Sequence, residues 1–218
     1  MQYQAVVFDM DGVIFDTERL VIEFWKEVAK KHNIPNVEHT CIQCLGANRV
    51  RTREIFLENY GADFPYDPYR AEVTELFNTH YKGVPLPTKP GVRELLSYLQ
   101  EQDIKVGLAS STAQHLVRDE IGTAGLLPYF QTLVCGDMVE HSKPAPDIFL
   151  KACEILNADP TKSIAIEDSF NGIRSAHCAG MTPIMVPDQV QPTDEIRALA
   201  FHVMPSLLDV LNWLKTFA

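Results

Sequence analysis

Short apolar segments that alternate with segments of helical period constrain the fold of this chain more than any other feature. The first of them, residues 3–8, is short and rich in β-branched residues, as expected for a strand buried on both faces. Further strands are predicted at 105–109, 132–135, 163–166, 183–186 and 202–203, and helices at about 91–101, 112–122, 145–156, 170–179, 193–198 and 206–216. This alternation predicts an α/β protein with a doubly wound parallel sheet and helices on both faces.

Residues 17–86 interrupt the alternation, because they contain helical patterns and no convincing strand. Helices are predicted at 17–32, about 49–60 and about 68–82. Prolines and glycines are frequent over 83–91, which is typical of a hinge or a domain boundary. The sequence therefore predicts an α/β core of residues 1–16 and 87–218, with a helical cap of residues 17–86 that opens and closes.

Two aspartates, Asp9 and Asp11, follow the first predicted strand and precede Gly12, which permits a sharp turn. Ligands of open parallel sheets bind at the carboxyl ends of the strands. Two carboxylates held close together repel each other unless a cation or a shared proton relieves them. The pair therefore suggests a divalent metal ion and a carboxylate nucleophile, although turns and helix caps use the same residue types.

Three further polar sites follow later strands or precede helices. Ser110 and Ser111 follow the second strand, where hydroxyls and backbone amides can bind an anion, although an ordinary helix N-cap is the simpler explanation of Ser110 taken alone. Lys143 precedes two prolines that begin a helix, and an ammonium group is a common phosphate ligand. Glu167 and Asp168 end a very apolar strand, and buried acids of this kind are paired or bound to metal. Hard oxygen ligands of this type suit Mg²⁺.

The order of these groups resembles the four motifs of the haloacid dehalogenase (HAD) superfamily. The matching residues are Asp9-Met10-Asp11-Gly12-Val13, Ser110, Lys143 and Glu167-Asp168-Ser169. The resemblance covers essentially the whole chain, and the helical insert is similar to the C1-type cap of that superfamily. Within it, the chain is most similar to the β-phosphoglucomutase-like group through residues 8–18, 143–149 and 168–172. The resemblance implies a Rossmann-like HAD core with an inserted α-helical cap.

The same resemblance implies a Mg²⁺-dependent phosphomonoester hydrolase that forms an aspartyl-phosphate. Asp9 is the implied nucleophile, and Asp11 is the implied general acid and base. The implied metal site consists of Asp9, the main-chain carbonyl of Asp11 and the carboxylate of Asp168. Glu167 is expected beside these groups, either as a ligand or as a neighbour of the ligands.

The phosphate-binding residues implied by the resemblance are Ser110, Ser111 and Lys143, which would hold the oxygens where charge develops. The second aspartate, Asp11, disfavours C–Cl dehalogenation, since dehalogenases of this superfamily lack that residue and need no metal. Phosphonate hydrolases need a Schiff-base lysine in the cap, and no cap lysine here has a motif that marks it for that role.

The choice between phosphatase and mutase depends on the cap. β-Phosphoglucomutases carry a histidine and a lysine where this chain has Val21 and Leu45, whereas Arg49 matches an arginine that binds their distal phosphate. This partial match favours a phosphatase acting on a small phosphorylated metabolite, such as a sugar phosphate, with a phosphosugar mutase as the alternative. Thr17, Asn48 and Arg49 are the candidate substrate contacts, although a solvated charge explains Arg49 equally well.

Two other classes share parts of the pattern. A phosphorelay receiver also combines an acidic pair with a hydroxyl and a lysine, but it has no cap, and its phosphorylated aspartate follows a mid-chain strand. A catalytically inactive regulatory or binding protein stays an alternative, because a fold does not determine a function.

Composition restricts the partners and the location. A net charge of −10 over 218 residues argues against a nucleic acid polymer as partner, and no apolar stretch is long enough to span a membrane. The five cysteines form an odd set without a secretory signal, which indicates reduced thiols and a cytoplasmic protein. Cys41 and Cys44 have a zinc-like spacing but no second ligand pair, so two thiols are the simpler interpretation. We expect a monomer.

Overall fold

Six parallel strands form a single sheet in the computed structural model, which describes residues 3–47 and 49–217. The strands are β1 Ala5–Phe8, β2 Lys105–Ser110, β3 Thr132–Cys135, β4 Ser163–Glu167, β5 Thr182–Met185 and β6 His202–Val203. Their order across the sheet is β3-β2-β1-β4-β5-β6. The chain therefore winds outward from β1 in both directions, which confirms the doubly wound α/β class. Its topological switch point lies between β1 and β4, where ligands of such sheets bind.

The α-helices agree with the predicted ones to within a few residues, with one exception. They are α1 Thr17–His32, α2 Val37–Gln43, α3 Arg49–Tyr60, α4 Tyr66–Tyr81, α5 Val92–Glu101, α6 Gln114–Thr123, α7 Asp147–Leu156, α8 Phe170–Cys178, α9 Asp194–Leu199 and α10 Leu207–Lys215. The exception is α2, which the sequence did not predict. It has only 7 residues, and the left-handed backbone of Asn36 precedes it. Two turns are too few for a periodic pattern to be recognised.

Helices cover both faces of the sheet, and β1 shows why its sequence is apolar throughout. Val6 and Phe8 are buried in one core, which the sheet shares with α5 and α10. Ala5 and Val7 are buried in a second core on the opposite face, which α7 and α8 complete. A strand between two cores has no solvent-facing side, so its apolar residues do not alternate with polar ones.

Helices α1 to α4 form a separate bundle, which confirms an inserted helical cap. Aromatic rings fill its interior, and the centroids of Trp25 and Phe56 lie 4.4 Å apart in a stacked arrangement. The two segments that join the bundle to the sheet pair with each other, since Asp16 N–H donates to the carbonyl of Pro87 at 2.9 Å. The boundaries at residues 16/17 and 86/87 stay a prediction. No helix in the described residues has the length and hydropathy that a membrane span requires.

Candidate active site

The ends of β1 and β4 approach each other closely at the switch point, and a glycine makes this possible. Gly12 has a φ of 83°, a conformation that side chains other than glycine rarely adopt. A Cβ atom at this position would lie 2.3 Å from Oδ2 of Asp168. The glycine that follows the first acid pair therefore lets the loop after β1 pack directly against the second pair.

Three buried carboxylates converge at this point. Asp9, Glu167 and Asp168 each offer an oxygen, and these oxygens lie within 4.8 Å of one another. Burial, followed by the charges of Glu167 and Asp9, raises the pKa of Asp168 well above its usual value. Burial also raises the pKa of Asp9, although the neighbouring Lys143 opposes the shift. The folded protein thus keeps these acids together at a cost that a cation would remove.

Lys143 is buried among these acids. Its Nζ donates to Oδ1 of Asp9 at 2.5 Å, to Oε1 of Glu167 at 2.6 Å and to the carbonyl of Ala109 at 2.9 Å. Burial disfavours the charged ammonium, but Asp9 and Glu167 outweigh this effect and hold the pKa of Lys143 above its usual value. When all three carboxylates are ionised, one ammonium group balances one of them, and two negative charges remain in excess.

This cluster fits a divalent cation in both charge and donor type. Two excess negative charges match a doubly charged ion, and carboxylate oxygens are the ligands that Mg²⁺ prefers. The three carboxylates differ in how many hydrogen bonds their oxygens already accept. Oε2 of Glu167 accepts hydrogen bonds from Asp168 N–H at 3.1 Å and from Ser169 Oγ at 3.0 Å, while its other oxygen accepts from Lys143. If the cluster holds a cation, Asp9 and Asp168 would be the better-placed direct ligands, and Glu167 would keep Lys143 and the backbone of Asp168 in place.

Two threonine hydroxyls hold the carboxylate of Asp11. Thr17 Oγ1 donates to Oδ1 at 2.6 Å, and Thr112 Oγ1 donates to Oδ2 at 3.0 Å. Thr17, predicted as a substrate contact, thus has its hydroxyl directed at Asp11. The contact from Thr112 was not predicted from the sequence. A single hydroxyl in a loop carries no sequence signal for a partner 101 residues away.

The two predicted phosphate-binding serines lie at the end of β2. Ser110 is buried, and its Oγ accepts a hydrogen bond from Thr112 N–H at 3.1 Å. It is not the N-cap of α6, because that helix begins at Gln114 and Ala113 precedes it. Ser110 directly follows Ala109, whose carbonyl binds Lys143. Ser110 is thereby held near the lysine, and Ser111, the next residue, is half-buried.

The cap reaches the core through the loop between α2 and α3. Gly46, with a φ of 69°, is packed so closely that a Cβ atom there would lie 2.6 Å from Oγ of Ser169. Arg49 follows this loop at the start of α3 and is exposed. Asn48, also predicted as a substrate contact, lies outside the described residues. Val21 and Leu45, which stand where the mutases have histidine and lysine, are half-buried.

Glu18 is a further acid near Asp11 and Asp9 that sequence reasoning did not single out. It belongs to the first turn of α1 and is half-buried. Loss of hydration and then the charges of Asp11 and Asp9 raise its pKa to about 8. Glu18 lies within residues 8–18, which carry part of the resemblance to the β-phosphoglucomutase-like group, and this was the sequence signal that could have identified it.

A doubly wound α/β fold with a helical cap and a buried carboxylate–lysine cluster at its switch point defines a class of enzymes. Residues 6–186 match the family model of haloacid dehalogenase-like hydrolases. The chain is 34% identical to the phosphorylated carbohydrates phosphatase of Thermotoga maritima, covering 83% of each chain. It is 35% identical to the β-phosphoglucomutase of Bacillus subtilis, covering 87% of this chain and 85% of that one.

A solved structure supports the fold independently. The β-phosphoglucomutase of Clostridium difficile superposes with a TM-score of 0.80 over 98% of this chain and 96% of that chain, at 24% identity. Because the family model matches most of the chain, the protein belongs to the haloacid dehalogenase-like hydrolase family. The predicted family, its β-phosphoglucomutase-like relatives and the prediction of an enzyme of the phosphatase type are confirmed.

Proposed function

We propose that this protein is a Mg²⁺-dependent phosphatase that hydrolyses a small phosphorylated carbohydrate through an aspartyl-phosphate. The observation that carries the proposal is the contact of Lys143 with Asp9 at 2.5 Å inside a cluster that fits a divalent cation. A carboxylate beside an ammonium group and a cation site can approach a phosphate dianion without net repulsion. The relative from Thermotoga maritima, named as a phosphatase of phosphorylated carbohydrates, supports the substrate class.

Asp9 and Asp168 would hold the cation, together with the main-chain carbonyl of Asp11. When bound, the ion supplies positive charge that offsets repulsion between the carboxylate nucleophile and the phosphate. Glu167 would keep Lys143 and the backbone of Asp168 in place through the hydrogen bonds that occupy its two oxygens.

The reaction would proceed in two displacements at phosphorus. In the first, a carboxylate oxygen of Asp9 forms a bond to phosphorus, the ester P–O bond breaks, and protonated Asp11 gives its proton to the leaving alkoxide. In the second, Asp11 takes a proton from water as that water attacks phosphorus, and the Asp9–phosphorus bond breaks. Inorganic phosphate and the free carboxylate of Asp9 result. Lys143 and the Ser110–Ser111 segment would hold the phosphoryl oxygens where charge develops.

Substrate contacts in the cap would come from the region of Arg49 and Asn48, since the loop that precedes them touches the core at Ser169. Thr17 would act on the substrate through Asp11, because its hydroxyl already donates to that carboxylate. A monomeric state and a cytoplasmic location stay predictions.

A mutase is the second candidate, and the Bacillus subtilis β-phosphoglucomutase at 35% identity favours it. Val21 and Leu45 argue against it, because two apolar side chains cannot bind or move a proton for a second phosphate. Introducing histidine at 21 and lysine at 45 tests this interpretation. Gain of glucose 1-phosphate isomerisation would show that these two positions separate the activities.

The proposed function is tested by phosphate release from a panel of sugar phosphates, nucleoside monophosphates and phosphoglycolate. We expect release with Mg²⁺, loss of release with EDTA and recovery on adding Mg²⁺ back. Isomerisation without net release would support the mutase instead. No phosphate release from any substrate, by a folded protein that binds the metal, would favour the catalytically inactive alternative.

A further inference from the structure

Asp188 is a buried acid next to the metal-binding cluster to which the proposed reaction assigns no role. It follows β5, and in the sheet Met185 of that strand is paired with Glu167 of β4. The backbone continues this pairing, since Val186 N–H donates to the carbonyl of Glu167 at 2.7 Å. Asp188 and Asp168 thus extend beyond the same edge of neighbouring strands, and the charge of Asp188 contributes to raising the pKa of Asp168.

The two oxygens of Asp188 differ in their partners. Oδ1 accepts hydrogen bonds from Lys89 Nζ at 2.6 Å and from Gln189 Nε2 at 3.1 Å. Oδ2 is buried and accepts no hydrogen bond from any residue that the structure describes. The side chain is only 6% exposed, so bulk water does not compensate. A buried carboxylate oxygen without a donor is costly, which indicates a donor that joins the site in the working protein.

Lys89 determines which oxygen is left for that donor. It belongs to the segment that returns from the cap to the core, and its backbone N–H donates to the carbonyl of Ile14 at 2.9 Å. Its ammonium group lies 2.6 Å from Oδ1 of Asp188 and 3.6 Å from Oδ1 of Asp16. The lysine neutralises Asp188 on one side only, and Oδ2 stays free to accept.

The donor that best fits this place is water bound to a cation. Mg²⁺ retains several water molecules when only one or two carboxylates bind it, and such waters donate strong hydrogen bonds to nearby acids. We propose that Asp188 is a positioning residue of the metal site, whose Oδ2 accepts a hydrogen bond from a water molecule that hydrates the cation held by Asp9 and Asp168. The inference rests on the proposed function, because it requires that cation.

Binding of Mn²⁺, measured from the electron paramagnetic resonance signal of the free ion, tests the proposal without any turnover. Asp188→Asn keeps the oxygen that faces Lys89 and replaces the second oxygen with a donor. We expect Mn²⁺ to bind this variant about tenfold more weakly than the wild type. Asp16→Asn is the matched control, because it removes the same charge from the same lysine, and we expect its affinity to stay within about twofold of the wild type.

Two results would overturn the role of Asp188 without contradicting the proposed function. One is an unchanged Mn²⁺ affinity in Asp188→Asn. The other is an equal loss of Mn²⁺ affinity in Asp188→Asn and Asp16→Asn, which would assign the effect to the ion pairs of Lys89. If circular dichroism shows that Asp188→Asn does not fold, Asp188→Ser takes its place, and wild-type affinity in that variant would also refute the proposal. Failure of the wild type itself to bind Mn²⁺ would instead contradict the cation site of the proposed function.

Discussion

Nζ of Lys143 lies 2.5 Å from Oδ1 of Asp9, although 134 residues separate the two in the chain. The lysine also reaches Glu167 at 2.6 Å, so a single ammonium group links the ends of β1 and β4. The same contacts serve stability and reactivity, because the buried ammonium group offsets the negative charge of two neighbouring acids where bulk water does not reach.

Removal of this ammonium group should destabilise the protein strongly. Lys143→Met keeps the length of the side chain but leaves Asp9 and Glu167 without their buried partner. We expect the free energy of unfolding, measured in urea with EDTA present, to fall by about 3–5 kcal/mol. Lys30→Met, at an exposed position of α1, is the control and should change it by less than about 0.5 kcal/mol. Equal effects would show that Lys143 is not the group that balances the acids.

Asp9→Asn should abolish turnover while the fold persists. The amide is nearly isosteric with the carboxylate, yet it cannot form the aspartyl-phosphate, so we expect phosphate release to fall at least about 1,000-fold. Lys143 keeps its contacts with Glu167 and Ala109, so circular dichroism should be unchanged. Asp63→Asn, on an exposed loop of the cap, should retain full activity. Substantial turnover by Asp9→Asn would assign the nucleophile to another group.

The hydroxyl of Thr112 should matter because it holds Asp11 in position. Thr112→Val removes the 3.0 Å hydrogen bond without changing the side-chain shape. We expect kcat to fall about tenfold with little change in KM, since a poorly oriented acid transfers protons slowly. Thr112→Ser restores a hydroxyl and should recover most of kcat. A serine variant as slow as the valine variant would mean that the methyl group, and not the hydrogen bond, is required.

Stability should depend on pH in a way that Mg²⁺ alters. Burial and neighbouring carboxylates raise the pKa of Glu18 from 4.5 to about 8, and they raise the pKa of Asp168 as well. An acid whose pKa is higher in the folded state than in the unfolded state binds its proton more tightly in the folded protein. Its protonation therefore stabilises the protein fully when the pH is below the unfolded-state pKa, and this stabilisation is lost as the pH rises through the folded-state pKa. Without metal, the melting temperature should therefore fall between about pH 5 and pH 8.

Bound Mg²⁺ favours the ionised acids, so the melting temperature with Mg²⁺ minus that with EDTA should grow across the same range. Differential scanning fluorimetry at several pH values measures this difference. A difference that does not change with pH would contradict the assignment of Asp9 and Asp168 as ligands that must lose protons.

The contact between Gly46 and Ser169 should be required for activity more than for stability. Gly46→Ala places a methyl group 2.6 Å from Ser169 Oγ, which forces the loop of the cap away from the core. Gly61→Ala is a matched control, because Gly61 also has a positive φ of 97° but no atom lies within 4 Å of the place that its methyl group would occupy. Both variants should lose about 1 kcal/mol of stability. Only Gly46→Ala should lose kcat/KM, by about 10- to 100-fold.

Equal kcat/KM in the two alanine variants would show that the close contact is irrelevant to the reaction. A loss confined to Gly61→Ala would contradict the role of this loop altogether.

The sequence by itself determined the strands, most helices and the set of acids at the strand ends. Strand β1 was predictable because a strand buried on both faces has a short, continuous run of apolar residues, and Asp9 follows this run directly. The proximity of Asp9 and Asp168 followed from topology, since carboxyl ends of parallel strands meet at one edge. Helix α2 was missed because its 7 residues are too few to show a period.

Only the tertiary structure decided which side chains donate hydrogen bonds to each carboxylate. The contact of Thr112 with Asp11 joins residues 101 positions apart, and that of Lys89 with Asp188 joins residues 99 positions apart. Such pairs depend on how loops at the sheet edge and the returning cap segment pack, and isolated polar residues in loops have no periodicity that predicts a partner. A local pattern can therefore indicate that a carboxylate is needed, whereas the packed chain determines which donor satisfies it and which oxygen stays free.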